Sequence, residues 1–230
     1  MEKLENTIKE IKEPDYQKMK EAQNRLDNLT KPKGSLGKLE EIAVKLAGIR
    51  GNIYPEINKK INIVMAGDHG VAEEGVSAFP KEVTTQMVYN FLEDGAAINV
   101  LAREAGAEVR IVDMGMADTI EATGLSIKKV KSGTDNMTRG RAMSRKEAIA
   151  SIEAGIETAE EAINTGANLI GTGEMGIANT TASSAILAVL SDLPIKTIVG
   201  PGTGINQAAL EKKRKAIKKA IKINQPDPED

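Results

Sequence analysis

One carboxylate stands inside a segment that otherwise suits an anion. Gly171–Ser184 reads Gly-Thr-Gly-Glu-Met-Gly-Ile-Ala-Asn-Thr-Thr-Ala-Ser-Ser. Gly171, Gly173 and Gly176 would allow positive φ and close approach of a ligand to the backbone. Asn179, Thr180 and Thr181 are candidate cap residues, and the free N–H groups of a helix start suit phosphate. Glu174 repels phosphate; a proton or a cationic ring is its more natural partner. Acid–base chemistry on a phosphorylated substrate is one reading, and a structural turn capped by Asn179 is the other. Gly200–Gly204 resembles part of a dinucleotide fingerprint but lacks the third glycine and the later acidic residue. Asp68-His69 could be an acid–base pair or could orient a loop. Gly75–Gln86, with Ser77, Phe79, Pro80 and Gln86, could wall a flat ligand or lead into the helix of Met87, Val88 and Phe91. The basic residues of 212–222 could bind an anion, but Ala209, Ala216, Ile217, Ala220 and Ile221 already supply a buried side, so a solvated face is expected.

Composition removes several other chemistries. The 230 residues contain no cysteine and one histidine, His69. A disulfide framework, a thiolate site and a multi-histidine metal centre are therefore not expected, and no cofactor is implied. The serines have only His69 as a possible base and no nucleophile elbow, and the P-loop ending in Gly-Lys-Ser/Thr is missing. A net charge of −2 argues against general nucleic-acid binding, and 2% aromatic residues leave no platform for stacking bases. With no signal peptide and no apolar run of membrane-spanning length, a cytoplasmic protein without membrane contact is expected.

The elements that must position these residues follow from periodicity. Residues 1–28 predict two charged helices broken near Pro14. Ser35 can cap a helix carrying Leu36, Leu39, Ala43 and Leu46 on one face. Residues 1–55 thus read as part of a small helical domain, and 56–230 as a large α/β domain. Ile61–Ala66 is an apolar run suited to a strand buried on both faces. Ala107–Asp113, Ala167–Ile170 and Lys196–Val199 predict further strands. Helices are predicted before Ala107, over Arg145–Asn164, from Ala182 onward, and over Asn206–Ile223. Alternating strands and helices imply an α/β fold with a doubly wound, mostly parallel sheet, whose ligands sit outside the carboxyl ends of the strands. Gly67–Gly70, Asp113–Gly115, Gly171–Gly176 and Gly200–Gly204 should then converge on one crevice. The long connection Lys128–Arg145 is expected to be functional or disordered.

Four motifs occur in one order: Leu29-Thr-Lys-Pro-Lys-Gly-Ser-Leu-Gly37, Gly67-Asp-His-Gly-Val-Ala-Glu-Glu-Gly-Val-Ser77, Gly171-Thr-Gly-Glu-Met-Gly-Ile-Ala-Asn-Thr-Thr181 and Gly202-Thr-Gly204. Together they resemble the nicotinate-nucleotide–dimethylbenzimidazole phosphoribosyltransferases over nearly the whole chain. The resemblance implies a Rossmann-like large domain, a small helical domain and a homodimer. It implies metal-free attack of a benzimidazole nitrogen on the ribose C1′ of nicotinate mononucleotide, with inversion and loss of nicotinate. Matched by motif, Ser77 and Gln86 would lie beside the base, and Glu174 would be an active-site carboxylate. Gly176, Asn179, Thr180 and Thr181 would form the nucleotide-phosphate loop, with Gly202, Thr203 and Gly204 as a second nucleotide-contacting turn. Ala178 stands where many relatives have glycine, and Pro201 removes one N–H from the second turn. The family continues beyond the equivalent of Asn224–Pro228 into a glycine-rich segment bearing the usual general base, so a chain lacking the family's C-terminal part is expected. The rival readings are a catalytically incomplete nucleotide-binding fragment and a dinucleotide-dependent oxidoreductase.

Overall fold

The computed structural model describes residues 1–191 and 193–229. By its contacts the chain forms two compact units, Glu2–Asn58 and, together with Met1, Lys59–Asp230. The first unit holds three helices: α1 (Glu2–Glu10), α2 (Tyr16–Asp27) and α3 (Lys38–Arg50). Asp15 starts α2 by accepting the Lys18 N–H on its side chain. Its own N–H donates to the Gly48 carbonyl of α3 at 2.9 Å.

Helix α3 differs from its sequence reading in two ways. Its N-cap is Gly37 and not Ser35. Its buried side carries Glu40, Ala47 and Gly48, while Leu36, Leu39 and Ile42 are exposed. Glu40 is the reason the expected face is inverted. Buried, it accepts from Lys31 Nζ at 2.8 Å and from the Leu36 N–H at 3.0 Å, so the Thr30–Gly37 loop folds back onto it. A paired, hydrogen-bonded carboxylate can be buried where an apolar-periodicity argument expects carbon.

The second unit is built on a four-stranded parallel sheet in the order β3-β2-β1-β4. The strands are β1 (Lys60–Gly67), β2 (Ala107–Gly115), β3 (Leu125–Ile127) and β4 (Leu169–Met175). Strand β1 is central, with Ile63 opposite Arg110 on one side and Thr172 on the other. Its alternate residues fill two cores, which is why it reads as an apolar run interrupted only at Asn62. Val64 and Ala66 pack with Val88 and Phe91 of α4 (Val83–Leu92) and with Ala96, just before α5 (Ala97–Ala105). Ile61 and Ile63 pack with Ala162 of α6 (Arg145–Asn164). Helices on both faces make the fold doubly wound. A capping box starts α6, Ser144 accepting the Glu147 N–H and Glu147 Oε2 accepting the Ser144 N–H.

After β4 come α7 (Asn179–Ser191), the short α8 (Ile195–Ile198) and α9 (Gln207–Asn224), whose N-cap Asn206 accepts the Ala209 N–H. The strand expected at Lys196–Val199 is therefore corrected to one helical turn. Pro194 precedes it in an extended conformation, and the Val199 N–H returns to the Ile195 carbonyl. Val199 is buried, but its cluster is Ala185 of α7 and Ile217 of α9 and not the sheet. Four residues, of which only Ile198 and Val199 are apolar, have no periodicity that separates a strand from a helical turn.

Candidate functional site

The carboxyl ends of β1 and β2 carry two buried aspartates used for loop architecture. Asp113 Oδ1 accepts the N–H groups of Gly115 and Met116, and Lys129 Nζ lies 3.2 Å from its other oxygen. Asp68 Oδ2 accepts the Ala117 N–H at 2.7 Å, while its Oδ1 is buried without a hydrogen-bond partner. Asp68 thus orients the β2 loop and forms no hydrogen bond with His69. Burial lowers the His69 pKa, and the nearby Asp68 charge only partly opposes this. A neutral imidazole is left, with Nε2 3.5 Å from the Asn179 amide nitrogen.

The connection 128–145 is ordered around this end of the sheet. The Thr134 N–H donates to the Asp68 carbonyl, and Gly70 N–H returns to Thr134. Asn136 Nδ2 and Thr138 Oγ1 both donate to Glu74 at 2.8 Å, which lowers the Glu74 pKa. The straps line a cavity of about 400 Å³ between His69, Ala72, Pro80, Ala117 and Thr134.

The segment Gly171–Ser184 divides differently from its sequence reading. Residues 171–175 continue β4, and the turn is confined to Gly176–Ala178. None of Gly171, Gly173 or Gly176 has positive φ; Ala178 does, at 74°. Gly176 is needed for space instead, since a Cβ there would strike the Gly67 carbonyl and come within 2.9 Å of His69 Nε2. The amides at the start of α7 are partly taken. Ile177 N–H donates to buried Thr84 Oγ1, Asn179 N–H to the Gly176 carbonyl and Thr181 N–H to the Ala178 carbonyl. Thr181 Oγ1 is buried without a partner.

Lys213 supplies what this helix start lacks. It is 2% exposed, and its Nζ donates to Thr180 Oγ1 at 2.6 Å. A Cβ on Gly202, whose φ is 55°, would lie 3.1 Å from both Lys213 Nζ and Thr180 Oγ1. Among the described residues no carboxylate pairs with the ammonium, and burial lowers its pKa. A buried lysine with one hydroxyl partner and unused donors can take a further acceptor, an anion included. The sequence reading misses Lys213 by assigning the basic run to solvent. Its position is nonetheless a signal: residue 213 falls four after Ala209 and three before Ala216, inside the apolar stripe of α9.

The other glycine-rich turn meets the expected base wall. Thr203 Oγ1 accepts the Ala78 N–H at 3.1 Å and lies 3.4 Å from Ser77 Oγ. The structure thus joins Ser77 to Thr203, and Gly202 to Thr180 and Lys213, although Gly200–Gly204 follows a helical turn and not a strand. Gly204 closes that turn by donating to the Pro201 carbonyl. Gln86 lies on the exposed side of α4 and forms no side-chain hydrogen bond with these groups. Glu174 sits on β4 opposite Met65, exposed as a residue yet with its carboxyl partly desolvated. That desolvation raises its pKa, and the Glu174 side chain has no hydrogen bond or ion pair among the described residues. No group of three or more His, Cys, Asp or Glu among the described residues could hold a metal ion. No described helix is long and apolar enough to cross a membrane.

Comparison with known proteins finds one family over nearly all of this chain. A family model described as Phosphoribosyltransferase matches residues 11–230. A nicotinate-nucleotide–dimethylbenzimidazole phosphoribosyltransferase of Halalkalibacterium halodurans is 53% identical over 230 residues, 100% of this chain and 64% of that protein. The enzyme of that name from Geobacter sulfurreducens is 52% identical over 99% of this chain and 65% of its own length. The crystal structure of CobT from Thermus thermophilus superposes with a TM-score of 0.88 at 44% identity, covering 92% of this chain and 63% of that one. The chain spans about two thirds of the length of the relatives it matches.

Proposed function

Since the chain belongs to the phosphoribosyltransferase family, we propose that it serves phosphoribosyl transfer from nicotinate mononucleotide to 5,6-dimethylbenzimidazole or a related base, giving α-ribazole 5′-phosphate and nicotinate in cobalamin biosynthesis. The observation that carries this reading is the buried ammonium of Lys213 held between Thr180 and Gly202. A phosphate dianion there gains charge-assisted hydrogen bonds and removes the cost of an unpaired buried cation. Gly176, Asn179, Thr180 and Thr181 cradle the nucleotide phosphate in this reading, with Gly202, Thr203 and Gly204 along its second side. Ser77 and Gln86 face the incoming base. An unprotonated benzimidazole nitrogen attacks C1′ as the C1′–nicotinate bond breaks, and the displaced electron pair neutralises the pyridinium. The other benzimidazole nitrogen then loses its proton to a carboxylate.

Glu174 is the carboxylate assigned here to the charged rings. Its partial desolvation and free oxygens support that role, because a carboxylate without a cation partner is open to one that arrives with substrate. Residues 56–230 form the nucleotide-binding domain in this proposal, and 1–55 part of the small helical one. A homodimer in the cytoplasm completes it, supported by the family resemblance.

The exposed setting of Glu174, with the two-thirds span, favours a second reading: a nucleotide-binding chain that turns over slowly until the remaining third is supplied. Titration calorimetry with nicotinate mononucleotide and a product assay on the 230-residue chain separate the two. Weak but measurable binding with product near background is expected. Robust turnover by the chain alone would remove the second reading, and absence of binding would remove both.

A further inference from the structure

We infer that His69 is a positioning residue of the nucleotide site: its Nε2, carrying no proton, accepts from Asn179 Nδ2 and so fixes which way the Asn179 amide faces the phosphate. This rests on the nucleotide reading given above and adds to it a residue and a protonation state. The backbone on either side of His69 is engaged. The Asp68 N–H donates to the Gly115 carbonyl at 3.0 Å, and the Asp68 carbonyl accepts the Thr134 N–H at 3.0 Å. The Gly70 N–H donates to the Thr134 carbonyl at 3.1 Å. Two residues on, Val71 packs with Ala178, just before α7. The ring is thus held at the end of β1 against the turn that opens α7. A Cβ on Gly176 would come within 2.9 Å of Nε2 and 3.0 Å of Cδ2, so a glycine there is what lets the ring reach Asn179.

The amide is held at its other end too. Asn179 Oδ1 accepts from Ser183 Oγ at 3.1 Å, a hydroxyl that also lies 3.1 Å from the Asn179 carbonyl. With its oxygen toward Ser183 and its nitrogen toward His69, one Nδ2 hydrogen is used and the other is uncommitted among the described residues. Phosphate oxygens accept hydrogen bonds, so this orientation is the one that serves an anion. The reversed amide would offer the anion a carbonyl oxygen. It would also set Oδ1 against Nε2, which requires the proton to sit on Nε2. Amide orientation and imidazole tautomer are therefore a single choice. Burial favours the neutral ring, and only a neutral imidazole keeps an acceptor nitrogen. The 3.5 Å separation is long for such a bond, and contacts of this kind commonly shorten when substrate arrives.

His69 is the single histidine of the chain, so its ring signals are identified without ambiguity. Nitrogen-15 NMR of the 230-residue chain at neutral pH should show Nδ1 protonated and Nε2 bare, the reverse of what a free imidazole favours. Nicotinate mononucleotide should increase that form, and Asn179→Ala should return the ring toward the Nε2–H form. By calorimetry, His69→Leu should weaken nicotinate mononucleotide binding by about three- to tenfold. In a chain already carrying Asn179→Ala, the same change should cost less than about twofold. His69→Gln, whose side-chain oxygen can accept in place of Nε2, should stay within about twofold of the parent. Should His69→Leu not fold by circular dichroism, the tautomer of the unaltered chain and its response to Asn179→Ala decide. An Nε2–H ring in the unaltered chain overturns the inference, as does an equal cost of His69→Leu with and without Asn179. A parent that binds no nicotinate mononucleotide overturns the nucleotide reading, and this role with it, whichever tautomer is seen, so the two failures are told apart.

Discussion

Thr180 and Glu174 lie on neighbouring elements of one motif and are both exposed, yet one side chain is partnered and the other is not. At Thr180, itself exposed, the hydroxyl accepts from the buried Lys213 beside a turn lacking a side chain. At Glu174 the chain leaves an exposed strand edge and a carboxylate with no partner among the described residues. In the proposed reaction the phosphate would meet groups already partnered with one another, and the reacting ring would meet a carboxylate that has no partner among the described residues. Binding and turnover should therefore be separable here, because a site can hold the non-reacting part of a substrate without organising the reacting atoms.

The largest effect is expected where that separation is sharpest. In the chain complemented with the remaining third of a relative, Glu174→Gln should lower kcat by about a hundredfold, while nicotinate mononucleotide affinity changes less than threefold, roughly. Because desolvation raises the Glu174 pKa, its ionised form accumulates only above the ordinary glutamate range. A rising limb of kcat/KM should lie there in the parent and vanish in the variant. Full activity in the Gln variant would leave Glu174 a structural residue of the strand.

Lys213→Met attacks the other side. Hydrogen bonds to charged groups are worth about 1.5–3 kcal/mol, so nucleotide affinity should fall roughly ten- to a hundredfold by calorimetry. Stability of the ligand-free chain should rise, by about 1 kcal/mol, since a buried unpaired cation is removed. The sign follows from the lowered pKa. Above the folded value the unfolded chain holds a proton that the native one has released, so stability climbs with pH up to the ordinary lysine range. The parent should show that alkaline climb in denaturant titrations and Lys213→Met should not. A variant that loses stability instead would mean that the lysine serves the fold and not an anion.

Base recognition should respond more gently. Ser77→Ala and Gln86→Ala are expected to shift relative kcat/KM among benzimidazoles by about two- to tenfold, the scale of a single contact, with nicotinate mononucleotide binding nearly unchanged. Equal losses toward both substrates would displace Ser77 from the base wall to the nucleotide turn, which its approach to Thr203 makes a pointed comparison. The smallest effect belongs to Ala178→Gly. Relief of the left-handed alanine is worth about 1–2 kcal/mol, and the added freedom of the unfolded chain costs about 0.4–1 kcal/mol. Loss of a buried methyl costs about 0.8 kcal/mol. Thermal melting should move by no more than about 2–4 °C. A larger fall would show that this methyl does more in the cluster of Val71, Val76 and Ala216 than fill space.

What can be read from residue order alone is whatever depends on neighbours along the chain. The helix over Arg145–Asn164, the two-sided burial of β1 and the turn that opens α7 are local patterns, and each is present in the structure, although α6 buries Ala154, Thr158 and Ala162 and leaves Ile152 and Ile163 exposed. Groups whose state depends on a distant partner are misread. Glu40 passes for polar surface until Lys31 and the Leu36 N–H enclose it. Lys196–Val199 cannot declare itself a helical turn, because the choice lies with Ile217 and Ala185 and not with its own period. Lys213 is the sharpest case. Seven basic residues crowd 212–222, and their types are nearly interchangeable in sequence. Only the packing of α9 against Thr180 and Gly202 takes one ammonium out of water and leaves it without a counter-charge among the described residues. Desolvation is a property of the space around a group, and the tertiary fold alone creates that space.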